Sequence, residues 1–155
     1  MAWNGMRTGA GRLALALVVV LATACGGEDP VVVDPLVSPL VGDWSATAMV
    51  VTSVANPDVA PELIALGASF TLNVQSSGQY TAILIYAQQA STEIGFLSVS
   101  GNVVTMTHSF PDTKTTSATY VLAGNRLTLD GDTDFDFNLD GTSEPAVAHF
   151  ELERR

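Results

Sequence analysis

Cysteine is almost absent from this chain. Its 155 residues contain one, Cys25. A single thiol cannot form a disulfide within the chain. An odd cysteine in an exported protein needs some other partner, so the role of Cys25 depends on the sequence around it.

Basic residues are also scarce. Six Lys and Arg residues stand against sixteen Asp and Glu residues, which gives a formal net charge of −10 at pH 7. Nucleic acid and anionic lipid headgroups are therefore poor partners, because like charges repel. A strongly acidic surface keeps a protein soluble and monomeric and concentrates cations around it. We expect a monomer that binds no nucleic acid.

Short catalytic motifs are missing as well. The sequence has no Gly-x-Ser-x-Gly elbow, no phosphate-binding glycine loop and no His-Glu-x-x-His pair. The two histidines, His108 and His149, fall in predicted strands. No sequence cue pairs either of them with a serine, a carboxylate or a second zinc ligand at the usual spacing. The sequence therefore predicts a protein that is not an enzyme and does not bind zinc.

The N-terminus has the layout of an export signal. Arg7 and Arg12 precede an apolar run of twelve residues, 13–24. A helix that crosses a bilayer needs about 20 apolar residues, so this run is too short to span comfortably. Residues 1–24 are therefore predicted to be a signal peptide that is removed from the mature chain.

The end of this run resembles the lipobox of bacterial lipoproteins. Small residues Thr23 and Ala24 precede Cys25, with Ala22 where that motif more often has Leu. The resemblance implies cleavage before Cys25 and a lipid anchor on its sulfur, so that a membrane of the cell envelope is a partner. Gly26 gives no retention signal of the aspartate type, which favours the outer membrane in a cell with two membranes. The alternative is an ordinary secretory peptide that leaves Cys25 as a free thiol.

Residues 25–39 are predicted to be a tether. Pro30, Pro35 and Pro39 fix the backbone at regular intervals and favour an extended, semi-rigid segment. Residues 40–155 then have the length of one domain with a single core. Loss of both signal-peptide arginines would leave four basic residues against sixteen acidic ones, a formal charge of −12.

Alternation of apolar and polar residues dominates this domain, with turn residues about every ten positions. The pattern predicts eight strands, near residues 44–50, 70–75, 79–87, 92–99, 103–110, 117–122, 126–130 and 146–153. Tight turns are expected at residues 101–102 and 124–125. Hairpin connections favour an all-β, antiparallel up-and-down barrel, because closure removes exposed edges. A two-sheet sandwich is the alternative, and one short helix is predicted at residues 61–66.

The first strand also carries a family resemblance. Gly42-Asp43-Trp44 resembles the Gly-x-Trp signature of lipocalins, and Arg154 stands near the end of the last strand. The likeness covers the whole domain and implies a lipocalin-like barrel in which Arg154 packs over Trp44 at the base. It also implies that residues 53–67 lie across the open mouth as a lid, with an opening near residues 61–66.

A lipocalin-like interior would bind a small hydrophobic ligand. The ligand contacts that we predict are Leu63, Leu66, Phe70, Leu72, Tyr80, Leu84, Phe96, Tyr120 and Phe150. Small barrels are often filled by their own side chains. The alternative function is therefore a structural or inhibitory envelope lipoprotein, non-enzymatic, that acts through its surface.

An acidic stretch before the last strand is a candidate calcium site. Asp136, Asn138, Asp140 and Gly141 match the first half of a calcium loop, but Val147 stands where a bidentate Glu belongs. The predicted ligands are Asp136, Asn138, Asp140, Thr142 through its carbonyl, and Glu144. Binding would have a structural role. The alternative is an acidic, solvated hairpin with its turn at residues 140–141.

The lipobox generates the first testable prediction. Replacing Cys25→Ser should abolish incorporation of labelled palmitate and release the protein from the membrane fraction, because the sulfur that carries the lipid is gone. Metabolic labelling followed by fractionation measures both effects. Palmitate incorporation that is unchanged in the variant would contradict the lipoprotein interpretation.

Overall fold

The computed structural model describes residues 35–155, and the predicted signal peptide, Cys25 and most of the predicted tether lie outside the described residues. The strands are β1 (Gly42–Ser53), β2 (Ser69–Val74), β3 (Gln79–Tyr86), β4 (Gln89–Ser100), β5 (Val103–Phe110), β6 (Thr115–Ala123), β7 (Arg126–Phe135) and β8 (Glu144–Arg154). Each strand pairs antiparallel with the next, and β8 pairs with β1. This closed barrel confirms the predicted up-and-down architecture and excludes the sandwich. No helix within residues 35–155 is long and apolar enough to cross a membrane.

Two of the predicted turns are found as two-residue hairpins. Gly101 and Asn102 connect β4 to β5, and Gly124 and Asn125 connect β6 to β7. Both glycines have positive φ angles, 60° and 61°, which glycine adopts without steric cost. Because each short turn fixes the register of its hairpin, the apolar side chains of the paired strands lie beside each other inside the barrel.

Trp44 and Arg154 close one end of the barrel, which we call the base. Trp44 is 1% exposed, and its indole Nε1–H donates to the Leu40 carbonyl oxygen at 2.8 Å. The Arg154 guanidinium lies 4.3 Å from the centroid of the Trp44 ring and donates to the carbonyl oxygens of Val41 and Pro39. The contact predicted from the lipocalin resemblance is therefore present.

The chain before β1 also belongs to the base. Residues Ser38–Leu40 form a short 3₁₀ helix, and Val37 and Leu40 are buried in the main core cluster. Val37 lies within the segment predicted to be a tether. The packed structure therefore includes the last residues before β1.

The helix predicted at residues 61–66 is not formed, and the described part of the chain has turns there. The prediction was wrong because this segment also forms hydrogen bonds with β1, which a regular helix would not allow. The Glu62 carboxylate accepts the N–H groups of Ile64 and Ala65, as expected in a first helical turn, but it also accepts the backbone N–H of Met49 at 2.8 Å. The Leu63 N–H donates to the Met49 carbonyl, and the Pro61 carbonyl accepts the N–H of Val51. Hydrogen bonds to β1 thus hold residues 61–63 along that strand, and turns follow at residues 63–67.

The barrel wall parts at the upper end, opposite the base, in two places. The first lies between β1 and β2, whose pairing runs from Gly42↔Val74 only to Ser45↔Thr71. Above that point residues 59–63 hydrogen-bond along β1 in place of β2. The first split is therefore closed by a segment of the chain itself.

The second split lies between β6 and β7. Their pairing runs from Ala123↔Arg126 at the base to Ala118↔Gly131. Above this pair, β6 continues beside β5 and β7 continues beside β8. Within residues 35–155 no other segment pairs with either strand there. The second split is therefore left open.

Burial of Trp44 generates a stability prediction. Trp44→Ala should lower the free energy of unfolding by about 3 to 5 kcal/mol, because a large buried aromatic is truncated and the Leu40 carbonyl loses its donor. Urea unfolding followed by circular dichroism measures the change, and Trp44→Phe should cost less. A loss below about 1 kcal/mol would be typical of a surface position and would contradict the closed base.

Candidate functional site

A cavity of about 160 Å³ lies inside the barrel. Its wall is mostly apolar, with side chains from Phe70, Leu72, Ala82, Met106, Ala118, Leu129, Ala148 and Phe150. The rings of Phe70 and Phe150 are 5.0 Å apart between centroids and tilted by 52°. The remaining lining residues are polar or glycine and gather on the side of β4 to β7: Glu93, His108, Lys114, Thr116, Ser117, Gly131, Asp132 and Thr133.

The cavity reaches the surface through the second split. Successive side chains of a strand point to opposite faces, and five strands contribute only inward-facing residues to the lining. On β6 and β7, consecutive residues line it instead, and Ser117 and Asp132 among them face outward and are exposed. Consecutive lining residues on two strands, at the point where their pairing ends, indicate an opening between those strands.

Gly131 marks the point where β6 and β7 part. A Cβ atom at this position would lie 2.9 Å from the Ser117 carbonyl oxygen and 3.1 Å from the Ala118 Cβ. Only glycine allows so close a strand approach without movement. The wall is therefore tight just below the opening and separates directly above it.

A group of hydrogen-bonded polar residues, the polar cluster, stands at one end of the cavity and consists of Tyr80, Glu93, His108, Lys114 and Thr116. His108 is 3% exposed. Its Nδ1 lies 3.1 Å from the Tyr80 hydroxyl and 3.2 Å from Glu93 Oε2. Its Nε2 lies 2.9 Å from Thr116 Oγ1, and Lys114 Nζ lies 3.4 Å from Glu93 Oε1. Both imidazole nitrogens therefore have partners.

A β-bulge brings the polar cluster together. Ile94 pairs with Phe110 but Gly95 pairs with His108, so Ser109 is an extra residue in β5. At Gly95 the two strands approach so closely that a Cβ atom would lie 2.2 Å from the Thr107 carbonyl oxygen. The bulge lets His108 face inward beside Glu93 although Phe110 faces outward.

Burial controls protonation in the polar cluster. Desolvation lowers the pKa of His108 below its ordinary value of 6.5; the Glu93 carboxylate opposes this, and Lys114 adds to the lowering. Burial, assisted by the charge of Glu93, raises the pKa of Tyr80 to about 12. At pH 7 the imidazole and the phenol are therefore both neutral, and the charges of the cluster are those of Glu93 and Lys114.

Of the nine predicted ligand contacts, Phe70, Leu72 and Phe150 line the cavity. Tyr80 is fully buried in the polar cluster. Tyr120 packs against the main core cluster, while Leu63 and Leu84 belong to a second core cluster around Met49 and Val51. These four residues thus support the barrel interior without lining the cavity.

The remaining two predicted contacts lie on the surface. Phe96 is 53% exposed and Leu66 is 62% exposed, so the expectation that they face the interior was wrong. On β4 the buried positions are Gly95, Leu97 and Val99, and Phe96 falls between them on the outer face. Leu66 lies in a hydrogen-bonded turn that projects from the wall.

The predicted lid has a different role from the one expected. None of residues 53–67 lines the cavity. Leu63 is instead buried among Met49, Val51, Ala68 and Ala146, so this segment fills the first split as part of the wall. The predicted opening near residues 61–66 is replaced by the opening between β6 and β7.

Sequence reasoning missed the polar cluster, although a signal existed. Alternate residues of a strand lie on the same face. Glu93 therefore shares the inward face of β4 with Leu97 and Val99, and His108 shares the inward face of β5 with Val104 and Met106. A charged or titratable residue at an inward position of a barrel strand indicates either a buried network or a site. The prediction that His108 is an ordinary strand histidine did not use this alternation.

The acidic stretch forms a loop whose oxygens accept backbone hydrogen bonds. Asp136 accepts the N–H groups of Asp140 and Gly141, and Asp140 accepts the N–H of Thr142 at 2.8 Å. This last bond, together with Asn138, lowers the pKa of Asp140. Glu144 accepts the N–H of Phe137. Across residues 35–155 no three His, Cys, Asp or Glu side chains are grouped to hold a metal ion. The loop is therefore held by hydrogen bonds to its own backbone, and calcium binding stays a prediction.

No protein-family model matches the chain, and comparisons with curated proteins and with solved structures find no match either. The description of the site therefore depends on its own geometry.

The two histidines should change the pH dependence of the free energy of unfolding in opposite directions. Because the pKa of His108 is lowered on folding, the unfolded chain binds more protons below pH 6.5, so stability is lost as pH falls from there. The hydrogen bond that the His149 imidazole donates to the Asp130 carboxylate raises the pKa of His149, so its contribution is present below pH 6.5 and is lost as pH rises through the folded pKa.

Urea unfolding between about pH 5 and 8 measures both contributions. His108→Gln should flatten the loss of stability on the acid side, and His149→Gln should steepen it. Identical pH profiles for the two variants would contradict the buried, neutral state of His108.

Proposed function

We propose that this chain is a lipid-anchored binding protein of the cell envelope, whose lipocalin-like barrel holds one small, largely apolar molecule. The observation that carries the proposal is the cavity between Phe70, Phe150 and the polar cluster, with its opening between β6 and β7. Lipid on Cys25 would keep the barrel at a membrane, where sparingly soluble molecules collect. Its role would be to carry such a molecule.

The size of the cavity limits the ligand. An apolar cavity of roughly 150 Å³ inside a protein can hold benzene, and the cavity here measures about 160 Å³. The rest of the upper barrel is filled by the second core cluster, which includes Met49, Leu63 and Ala146. A ligand with one ring or a short branched chain fits this space, with its polar group toward Thr116 and Glu93.

Two features support the lipocalin-like assignment. Arg154 packs over Trp44 and ties the base to Pro39 and Val41, as the resemblance implies. The antiparallel strands are connected in sequence order without a crossover. Both features favour a barrel that is closed at the base and that a ligand would enter at another place.

A second candidate function is supported by the outer surface. Ile83, Ile85, Phe96 and Phe110 are exposed on the neighbouring strands β3, β4 and β5. A structural or inhibitory envelope lipoprotein would act through such a surface. We rank this function second because a protein that acts only through its outer surface would not need the cavity.

Two alanines on β8 provide a matched test. Ala148 lines the cavity, whereas Ala146, two residues earlier, is fully packed in the second core cluster. Ala148→Leu should abolish binding of benzene and benzyl alcohol with little loss of stability, because the added methyl groups enter empty space. Ala146→Leu should retain binding and cost about 1 to 3 kcal/mol of stability through overpacking.

Melting temperature with and without each probe, supported by chemical-shift changes, measures both outcomes, since a ligand that binds only the folded state stabilises it. Failure of millimolar benzene and benzyl alcohol to shift either signal in the unmodified protein would overturn the binding function.

A further inference from the structure

We propose that the cavity selects a ligand with a positively charged amine over one with a carboxylate, the ring lying against Phe70 and Phe150 and the amine at the opening. This inference rests on the proposed binding function and specifies the chemical class of its ligand. It is carried by the charges that line the cavity.

Carboxylates outnumber cations in the cavity lining. Glu93 and Asp132 line the cavity, and Lys114 is the one basic residue that does so. Lys114 already pairs with Glu93 at 3.4 Å, and His108 is neutral at pH 7 because burial lowers its pKa. The lining thus carries one uncompensated negative charge.

The surroundings increase this bias. Residues 35–155 contain thirteen acidic residues and four basic ones. The three basic residues other than Lys114 lie at the base: Arg126 begins β7, Arg154 ends β8, and the Arg155 N–H donates to the Asp43 carbonyl. Asp130 and Asp134 flank Asp132 on the outer face of β7. A field of one sign around a cleft concentrates ions of the opposite sign.

Hydrogen-bonding capacity favours the same ligand. An ammonium group has three donors, and the cavity lining provides acceptors: the Glu93 carboxylate, which has about four lone-pair sites, Asp132, and the hydroxyl of Thr133. A carboxylate would find hydroxyl donors such as Thr133 and the ammonium of Lys114, which Glu93 already holds, but it would face repulsion from both acidic side chains.

The polar group should remain near water. Glu93 is 37% exposed and Asp132 is exposed, so an amine at the opening keeps part of its hydration while the ring leaves water. Full burial of an ion is costly unless it is paired. The lateral opening therefore suits an amphipathic cation better than a closed cavity would.

Three probes of similar size separate charge from shape: benzylamine, benzyl alcohol and benzoate carry charges of about +1, 0 and −1 at pH 7. Calorimetric titration at low ionic strength should rank benzylamine first and benzoate last, with at least a tenfold difference in Kd between them. The difference should shrink at high salt, because salt screens charges at a partly exposed site.

Asp132 and Asp134 form a matched pair of variants on one strand. Asp132→Asn should weaken benzylamine binding several-fold and leave benzyl alcohol binding unchanged, because Asp132 lines the opening. Asp134→Asn removes the same charge from an exposed position outside the lining and should have a smaller effect.

The possible failures are distinguishable. If benzyl alcohol binds but benzoate binds as tightly as benzylamine, the charge selectivity is overturned and the binding function stands. Equal effects of the two Asp variants on benzylamine would also overturn it, since selectivity would then not arise at the opening. If none of the three probes binds, the proposed function itself is overturned.

Discussion

Pairing of β1 with β8 is the contact on which the rest of the molecule depends. It extends from Trp44↔Arg154 to Ser53↔Ala146 and contains one irregularity, between Ala46 and Ala48. Below the irregularity Trp44 faces inward, and above it Met49 and Val51 do so. A regular strand could not place all three inside, because its side chains alternate strictly. The bulge thus lets one strand close the base and also fill the upper half of the barrel.

The cavity results from unequal strand pairing at the upper end. Closing eight strands into a barrel requires tilt and stagger, and short pairings such as β1 with β2 and β6 with β7 leave gaps in the wall. The chain fills the first gap with residues 59–63 and anchors them through Glu62, whose pKa is lowered by the hydrogen bond from the Met49 N–H. In the described chain nothing fills the second gap. The side of the barrel that residues 59–63 close is packed, and the opposite side contains the cavity.

Sequence patterns predicted the strands, their order and two hairpin turns, because each depends on residues close together in the chain. They failed where distant pairing decides the structure. Residues 61–66 have local helix signals, but hydrogen bonds to Met49 and Val51 outweigh them. His108 faces inward by the alternation of β5, but its place beside Glu93 depends on the pairing of β4 with β5, which includes the bulge at Ser109 and the close approach at Gly95. Neither feature can be recognised from residues that are close together in the sequence. Alternation along each strand could therefore indicate inward-facing polar residues, but not which of them are in contact.

The polar cluster has a stability cost that a purely structural barrel could avoid. Apolar side chains of similar volume at buried polar positions are often neutral or stabilising. Here His108 is buried with both nitrogens bonded, to Thr116 on one side and to Tyr80 and Glu93 on the other. Those bonds hold the Glu93 carboxylate at the edge of an otherwise apolar space, where Lys114 balances only part of the negative charge. Under the proposed binding function, a fixed charge beside aromatic walls would orient a bound molecule with its ring inward and its polar group outward, which packing alone does not require.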